Sequence, residues 1–239
     1  MSLVLRHALP RAIERGVANT LTADVYDAAG VQQTASAGTL TLYAGSKLIL
    51  DGVAVTSPGA PTSHTLAAGL TTNEALSDSW LEMWTLTIGG TAYTFRRDAY
   101  LVRHVLYPTI TDTDLLELHS DLAALRDADQ SSYETQREAA WARVQHRLIV
   151  AGRRPELVLS SWALRELHRA LTLEIIFADF ASSTGDGRYR ELAEHYRAAA
   201  DVEFGRLPLR YDSDEGGTED ANDRAAARPV MFLSEPWGY

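Results

Sequence analysis

Tyr107-Pro-Thr-Ile-Thr-Asp-Thr-Asp-Leu-Leu-Glu-Leu-His119 is the stretch where the hydrophobic period of the chain changes from two to about 3.6. Thr111 or Asp112 has the chemistry of a helix N-cap, and Asp114 and Glu117 lie near the positive end of the helix that follows. Leu115, Leu116, Leu118, Leu122 and Leu125 form its apolar stripe. Downstream, the spacing of Tyr133, Ala140, Trp141, Val144 and Leu148 predicts a second helix over about 131–151, stopped by Gly152. A third helix is predicted over about 155–181, with Leu157, Trp162, Leu164, Leu167, Leu171 and Ile175 on its stripe. Ile176, Phe177 and Phe180 make its end apolar almost all round, as befits a central buried helix. A loop over 182–187 leads to a fourth helix over 188–204, ending at Gly205.

Upstream of the switch, residues 18–106 read as short strands. Leu21, Ala23 and Val25 alternate with Thr20, Thr22, Asp24 and Tyr26, the period of a strand with one buried face. Gly38–Tyr43 alternates again, and Lys47–Leu50 and Val53–Val55 flank Asp51-Gly52, a dipeptide that suits a type I′ hairpin. In the last hairpin Trp84, Leu86 and Ile88 share a face, Gly89-Gly90 turn, and Tyr93 and Phe95 continue the pattern. So many strands with closely spaced turns predict an Ig-like antiparallel β-sandwich, although the Cys…Trp…Cys signature is absent. The expected class is α+β. A β-sandwich domain fills 1–107, a four-helix all-α domain 108–206, and an acidic loop with an extended C-terminal arm 207–239.

The 239 residues contain no cysteine, which excludes disulfide scaffolds, thiolate metal sites and cysteine nucleophiles. The net charge is −10. Residues 1–107 carry 7 Lys+Arg against 8 Asp+Glu, whereas 108–239 carry 15 against 24, so the excess acid lies in the second half. That distribution argues against a phosphate-gripping surface there. Lys47 is the sole lysine. Arg6, Pro10, Arg11, Glu14 and Arg15 interrupt any signal-like run, and no apolar stretch is long enough to span a bilayer. A soluble protein made in a cytoplasm is the expectation.

Few motifs carry chemistry. Asp212, Asp214, Gly217, Asp220 and Asp223 match positions 1, 3, 6, 9 and 12 of a calcium loop. Position 5 is Gly216, position 12 is the shorter Asp223, and a strand-like segment precedes the loop, so a solvated flexible acidic loop is the favoured reading. His146, His168 and His195 fall on three successive helices without metal-ligand spacing. No nucleophile elbow or Walker loop occurs. No catalytic residue, cofactor or metal is therefore expected.

Over residues 108–239 the order of elements resembles the head–tail connector (adaptor) proteins of tailed double-stranded DNA phages. The resemblance is carried by Thr111–His119, three further helices with an apolar penultimate one, an acidic loop and an extended hydrophobic terminus. It implies a non-enzymatic virion protein of the head-tail neck, made in the host cytoplasm. It also implies a ring, usually dodecameric, beneath the portal protein and joined to a tail-proximal connector or tail terminator protein, with DNA only in transit and no membrane. Phe232, Leu233, Trp237 and Tyr239, beyond the acidic loop, would then dock on a neighbour, the alternative being that they pack back on their own domain. The N-terminal β-sandwich departs from the minimal family pattern. The rival class is a two-domain binding protein, an adhesin or carbohydrate-binding module fused to a helical bundle, with Trp80, Trp84 and Tyr93 as its platform.

Overall fold

The computed structural model describes residues 3–6, 9–55, 61–126, 130–212 and 215. They form a mixed α/β structure, strands first and helices after. The strands are β1 (Leu3–Leu5), β2 (Arg11–Glu14), β3 (Asn19–Ala23), β4 (Val25–Asp27), β5 (Gln32–Gln33), β6 (Ala37–Ala44), β7 (Lys47–Ala54), β8 (Thr62–Leu66), β9 (Ser77–Ile88) and β10 (Thr91–Val102). The helices are α1 (Asp112–Leu116), α2 (Leu122–Leu125), α3 (Glu134–Val150), α4 (Arg165–Thr184) and α5 (Gly187–Arg206).

The β9–β10 hairpin is the spine of the strand half. Gly89 and Gly90 sit at φ 58° and 80°, the left-handed backbone that a type I′ turn needs at both central positions. Strict alternation then sends Trp80, Glu82, Trp84, Leu86 and Ile88 to the buried face. Five strands pair in the order β2-β10-β9-β6-β7, with β2 parallel to β10 and the rest antiparallel. The pairs β3-β8 and β1-β4-β5 contribute Leu21, Leu66, Leu5 and Val25 to the same core as Ile13, Leu40, Leu42 and Leu101. At Gly38, opposite Leu86 in the β6–β9 register, there is no room for a side chain: a Cβ would lie 2.5 Å from Leu86 Cδ2 and 3.0 Å from the Thr85 carbonyl oxygen.

Asp51-Gly52 is not the turn that its composition suggests. β7 runs straight through it, and the β6–β7 turn falls at Gly45-Ser46. The β6–β7 register slips between Leu40 and Leu42, placing Asp51 and Gly52 opposite Thr41 as a bulge, with Gly52 at φ 55°. Gly52 N–H donates to Thr41 Oγ1 at 3.2 Å. Pairing of β6 with both β7 and β9 overrides the local turn preference.

Two helix boundaries also differ from expectation. The first helix is broken into α1 and α2, and between them His119 lies edge-on to Phe177 and Tyr196. Leu118, placed on the stripe by spacing, is 47% exposed, while Leu115 and Leu122 are buried. The third helix begins at Arg165 rather than near 155, for residues 155–164 form two 3₁₀ turns around extended backbone. There Val158 makes a bridge to Tyr211, and Ser160 and Ser161 spend their hydroxyls on Trp162 N–H and Tyr107 N–H. Gly152 does stop α3, at φ 65°.

The two halves touch. Leu157 belongs to the strand-half core, and Leu106 packs into the helical one with Val144, Leu148, Leu164, Leu167 and Leu171. A second helical cluster joins Ile110, Leu115, Leu122 and Tyr133 to Leu173, Ile176 and Phe177. After α5 the chain turns back: Leu209 is buried on the helical side, and Tyr211 packs against both cores.

Candidate functional site

The most concentrated ionic group in the strand half is one the sequence analysis passed over. Glu82 is wholly buried on the core face of β9. Its Oε1 accepts from Arg11 Nε at 2.5 Å, and its Oε2 from the Trp84 indole N–H at 2.8 Å. Arg11 also donates to the carbonyl of Thr22 on β3, so one guanidinium ties the five-stranded sheet to the layer opposite. Arg97 lies directly across from Glu82 in the β9–β10 register and donates to the Leu9 carbonyl at 3.1 Å. Burial, and then the neighbouring charge of Arg11, lower the Arg97 pKa to about 10, while Glu82 and Asp24 oppose the shift. Arg97 stays charged at neutral pH, with Glu82 and Asp24 as the carboxylates that support its charge. Such an arrangement locks sheet against sheet; it offers neither a nucleophile nor a proton donor to a substrate. The signal was present, since residue 82 shares its parity with 80, 84, 86 and 88, and an acid on an apolar strand face demands a buried partner.

The calcium reading loses its first ligand. Asp212 is 1% exposed and its Oδ2 pairs with Arg103 at 2.6 Å. Asp214, Asp220 and Asp223 lie outside the described residues, as do Phe232, Leu233, Trp237 and Tyr239. Glu215, also in the acidic segment, is held by Arg15 and by Leu76 N–H at 3.1 Å. Burial would raise its carboxyl pKa, but Arg15, the Leu76 amide and Arg103 outweigh burial and leave it lowered. The start of the segment, expected to be flexible, is thus pinned to the strand half by arginines far away in sequence.

The histidines stay apart from one another. His168 is fully buried, donates from Nε2 to the Arg137 carbonyl at 2.9 Å and lies against the Trp141 ring. Burial lowers its pKa first, with a smaller opposing pull from that hydrogen bond and a further lowering by the Arg137 charge. His119 Nε2 meets the Tyr196 hydroxyl at 2.5 Å, and burial lowers the His119 pKa too. His195 stacks edge-on against Tyr196, and His146 is exposed. Among the described residues no three His, Asp or Glu side chains converge as a metal-binding group.

The aromatic platform of the rival reading is not on the surface. Trp80 is 2% exposed and Trp84 is wholly buried, and Tyr93 stacks on Phe95. Among the described residues the exposed tryptophan is Trp162, at 65%, which spacing had placed on a buried stripe. Because α4 starts at Arg165, Trp162 sits outside the helix, with the Arg165 guanidinium 5.2 Å from its ring centre. Tyr107, 57% exposed, is tied beside it through its N–H to Ser161 Oγ at 2.8 Å. A separate cavity of about 480 Å³ lies between α2, α3, α4 and α5, lined by apolar Leu125, Ile176, Phe180 and Tyr189 and polar Gln136 and Asp179. It could seat an apolar or aromatic group, with Gln136 Nε2 donating to Asp179 at 3.3 Å. No helix among the described residues is long and apolar enough to cross a membrane.

The chain matches no protein-family model, and no curated protein or solved structure matches it significantly.

Proposed function

We propose that this chain is a structural virion protein, a head-to-tail adaptor of a tailed double-stranded DNA phage. Its copies form a dodecameric ring under the portal protein and join it to a tail-proximal connector or tail terminator protein, leaving a channel for DNA. The reading has the chain non-enzymatic, without a cofactor, and located in the virion neck.

The observation that carries the proposal is the order of elements after the switch at Tyr107-Pro108. Short α1 and α2 lead to three long helices with an apolar penultimate one, and then to an extended segment that packs Leu209 into the helical core. This is the order on which the resemblance rests, and we take the helical half as a four-helix adaptor-like domain, with α1 and α2 standing for one helix. The exposed Trp162 and Tyr107 lend support, for Trp and Tyr are among the residue types that dominate binding energy at protein interfaces. A ring of acidic subunits would also line its channel with negative potential and keep passing DNA from sticking.

The strand half reads as an Ig-like sandwich on its topology. The order β10-β9-β6-β7 corresponds to the G-F-C-C′ order of a variable-type sheet, while β1, β3 with β4, and β8 stand where A, B and E pair opposite. In the adaptor this domain would face outward. The rival binding module has lost the specific feature that favoured it, because Trp80 and Trp84 are core residues.

Light scattering on the purified chain, alone and mixed with portal rings, tests the proposal. A ring whose assembly depends on the portal is the expected result. A stable monomer that ignores the portal would remove the proposal's support.

A further inference from the structure

After α5 the backbone crosses from the helical half to the strand half through one isolated antiparallel bridge between Val158 and Tyr211. Its two bonds run from Leu159 N–H to the Arg210 carbonyl at 3.0 Å and from Asp212 N–H to the Leu157 carbonyl at 3.1 Å. Leu209 and Tyr211 also pack into the cores, and beyond Tyr211 the segment is held by charge. Arg103 pairs with buried Asp212 at 2.6 Å and donates to the Glu215 carbonyl at 2.6 Å. Arg15 pairs with the Glu215 carboxylate, whose other oxygen accepts Leu76 N–H at 3.1 Å.

Two features make this arrangement releasable. Glu215 is the only non-glycine residue among the described ones with positive φ, at 60°. Such backbone persists where its surroundings over-determine it, and here the surroundings are Arg15, Arg103 and the Leu76 amide. The side chains of Arg15 and Arg103 are 21% and 23% exposed, so their ion pairs are open to water and salt on one side.

We propose that Leu207–Asp212 with Glu215 is a latch that clasps the helical half to the strand half and opens as a unit without unfolding either. Opening hydrates Asp212, uncovers Val158 and Leu209, and leaves the halves joined by packing such as that of Leu157 and Leu106. Closed, the latch holds Glu215 against the strand half, beside Arg15 and Leu76. The inference concerns this chain by itself and stands whether or not the adaptor proposal holds.

Hydrogen exchange on the full-length protein tests it through the amides of Leu76, Leu159 and Asp212, each of which reports one tie of the closed latch. They should exchange together and at least about tenfold faster than amides in the β9–β10 hairpin and in α4, the pattern of a sub-global opening. Raising salt from ~0.1 M to ~1 M shortens the screening length from about 10 Å to about 3 Å and should speed those three amides alone. Arg103→Ala, which takes the Arg103 charge away from buried Asp212 and its donor away from the Glu215 carbonyl, should speed them by more than about tenfold while the hairpin and α4 amides keep their rates. Protection of the three amides equal to that of the hairpin, with no response to salt, would overturn the latch and make the segment a fixed part of the core. Should Arg103→Ala fail to fold, Glu215→Gln and the wild-type salt series decide on the same criteria.

Discussion

Replacing Glu82 by Gln removes one negative charge from the centre of the strand half and almost no volume. The carboxylate is wholly buried and accepts from both Arg11 and the Trp84 indole. A carboxamide keeps one acceptor and turns a donor toward one of those two donors. It also removes the carboxylate paired with Arg11, whose side chain is only 14% exposed, and the stronger of the two carboxylates that support the Arg97 charge. A lost charge-assisted hydrogen bond alone is worth about 1.5–3 kcal/mol. An uncompensated buried charge brings the cost of breaking such a pair to about 3–5 kcal/mol. For a protein of this size that corresponds to a fall in Tm of roughly 6–20 °C. Urea denaturation followed by tryptophan fluorescence reads the effect, since Trp80 and Trp84 lie in the affected core. Removing both charges, as in Arg11→Met with Glu82→Leu, should cost less than Glu82→Gln, because apolar residues of similar size often replace a buried ion pair without loss. A Glu82→Gln protein within about 1 kcal/mol of the parent would refute the reasoning, for that is the scale of a solvated pair.

Three further outcomes are expected. Gly38→Ala drives a methyl into Leu86 and the Thr85 carbonyl and should lower stability by about 1–3 kcal/mol in the same urea assay, an unchanged midpoint being the contrary result. His168 has its pKa lowered by burial. Stability should therefore be full above the unfolded value of about 6.5 and should decline as pH falls below it, because the unfolded chain takes up the proton first. A series of melting curves between about pH 8 and about pH 5 should show that slope, and His168→Gln should reduce it, leaving the share owed to His119. Deleting residues 228–239 should leave the helical CD signal intact yet abolish incorporation into heads; normal assembly of the truncated chain would assign that segment to its own domain.

What could be read in the sequence was whatever one segment decides for itself. The β9–β10 hairpin was legible because alternation and Gly89-Gly90 agree, and the end of α3 because Gly152 takes the left-handed backbone that a helix stop prefers. The change of period at Tyr107-Pro108 likewise marks the passage from strands to helices. Errors arose where a distant partner outbid a local preference. Asp51-Gly52 became a bulge because β6 fixes the register from both sides, and Trp162 came to the surface because Val158 and Ser161 are engaged by Tyr211 and Tyr107. Asp212 and Glu215 belonged to a run of acids whose composition suggests solvation, and the arginines that hold them lie more than a hundred positions upstream. The Glu82 cluster was the one such case with a visible local sign, an acid in phase with two tryptophans.

Cryo-EM reconstruction of virions that carry this chain is the most direct test of the adaptor proposal. A ring of copies between portal and tail, with the helical half toward the channel and the strand half outward, is the predicted density. Particles whose neck is complete without this chain, or that place it elsewhere in the virion, would contradict the proposal.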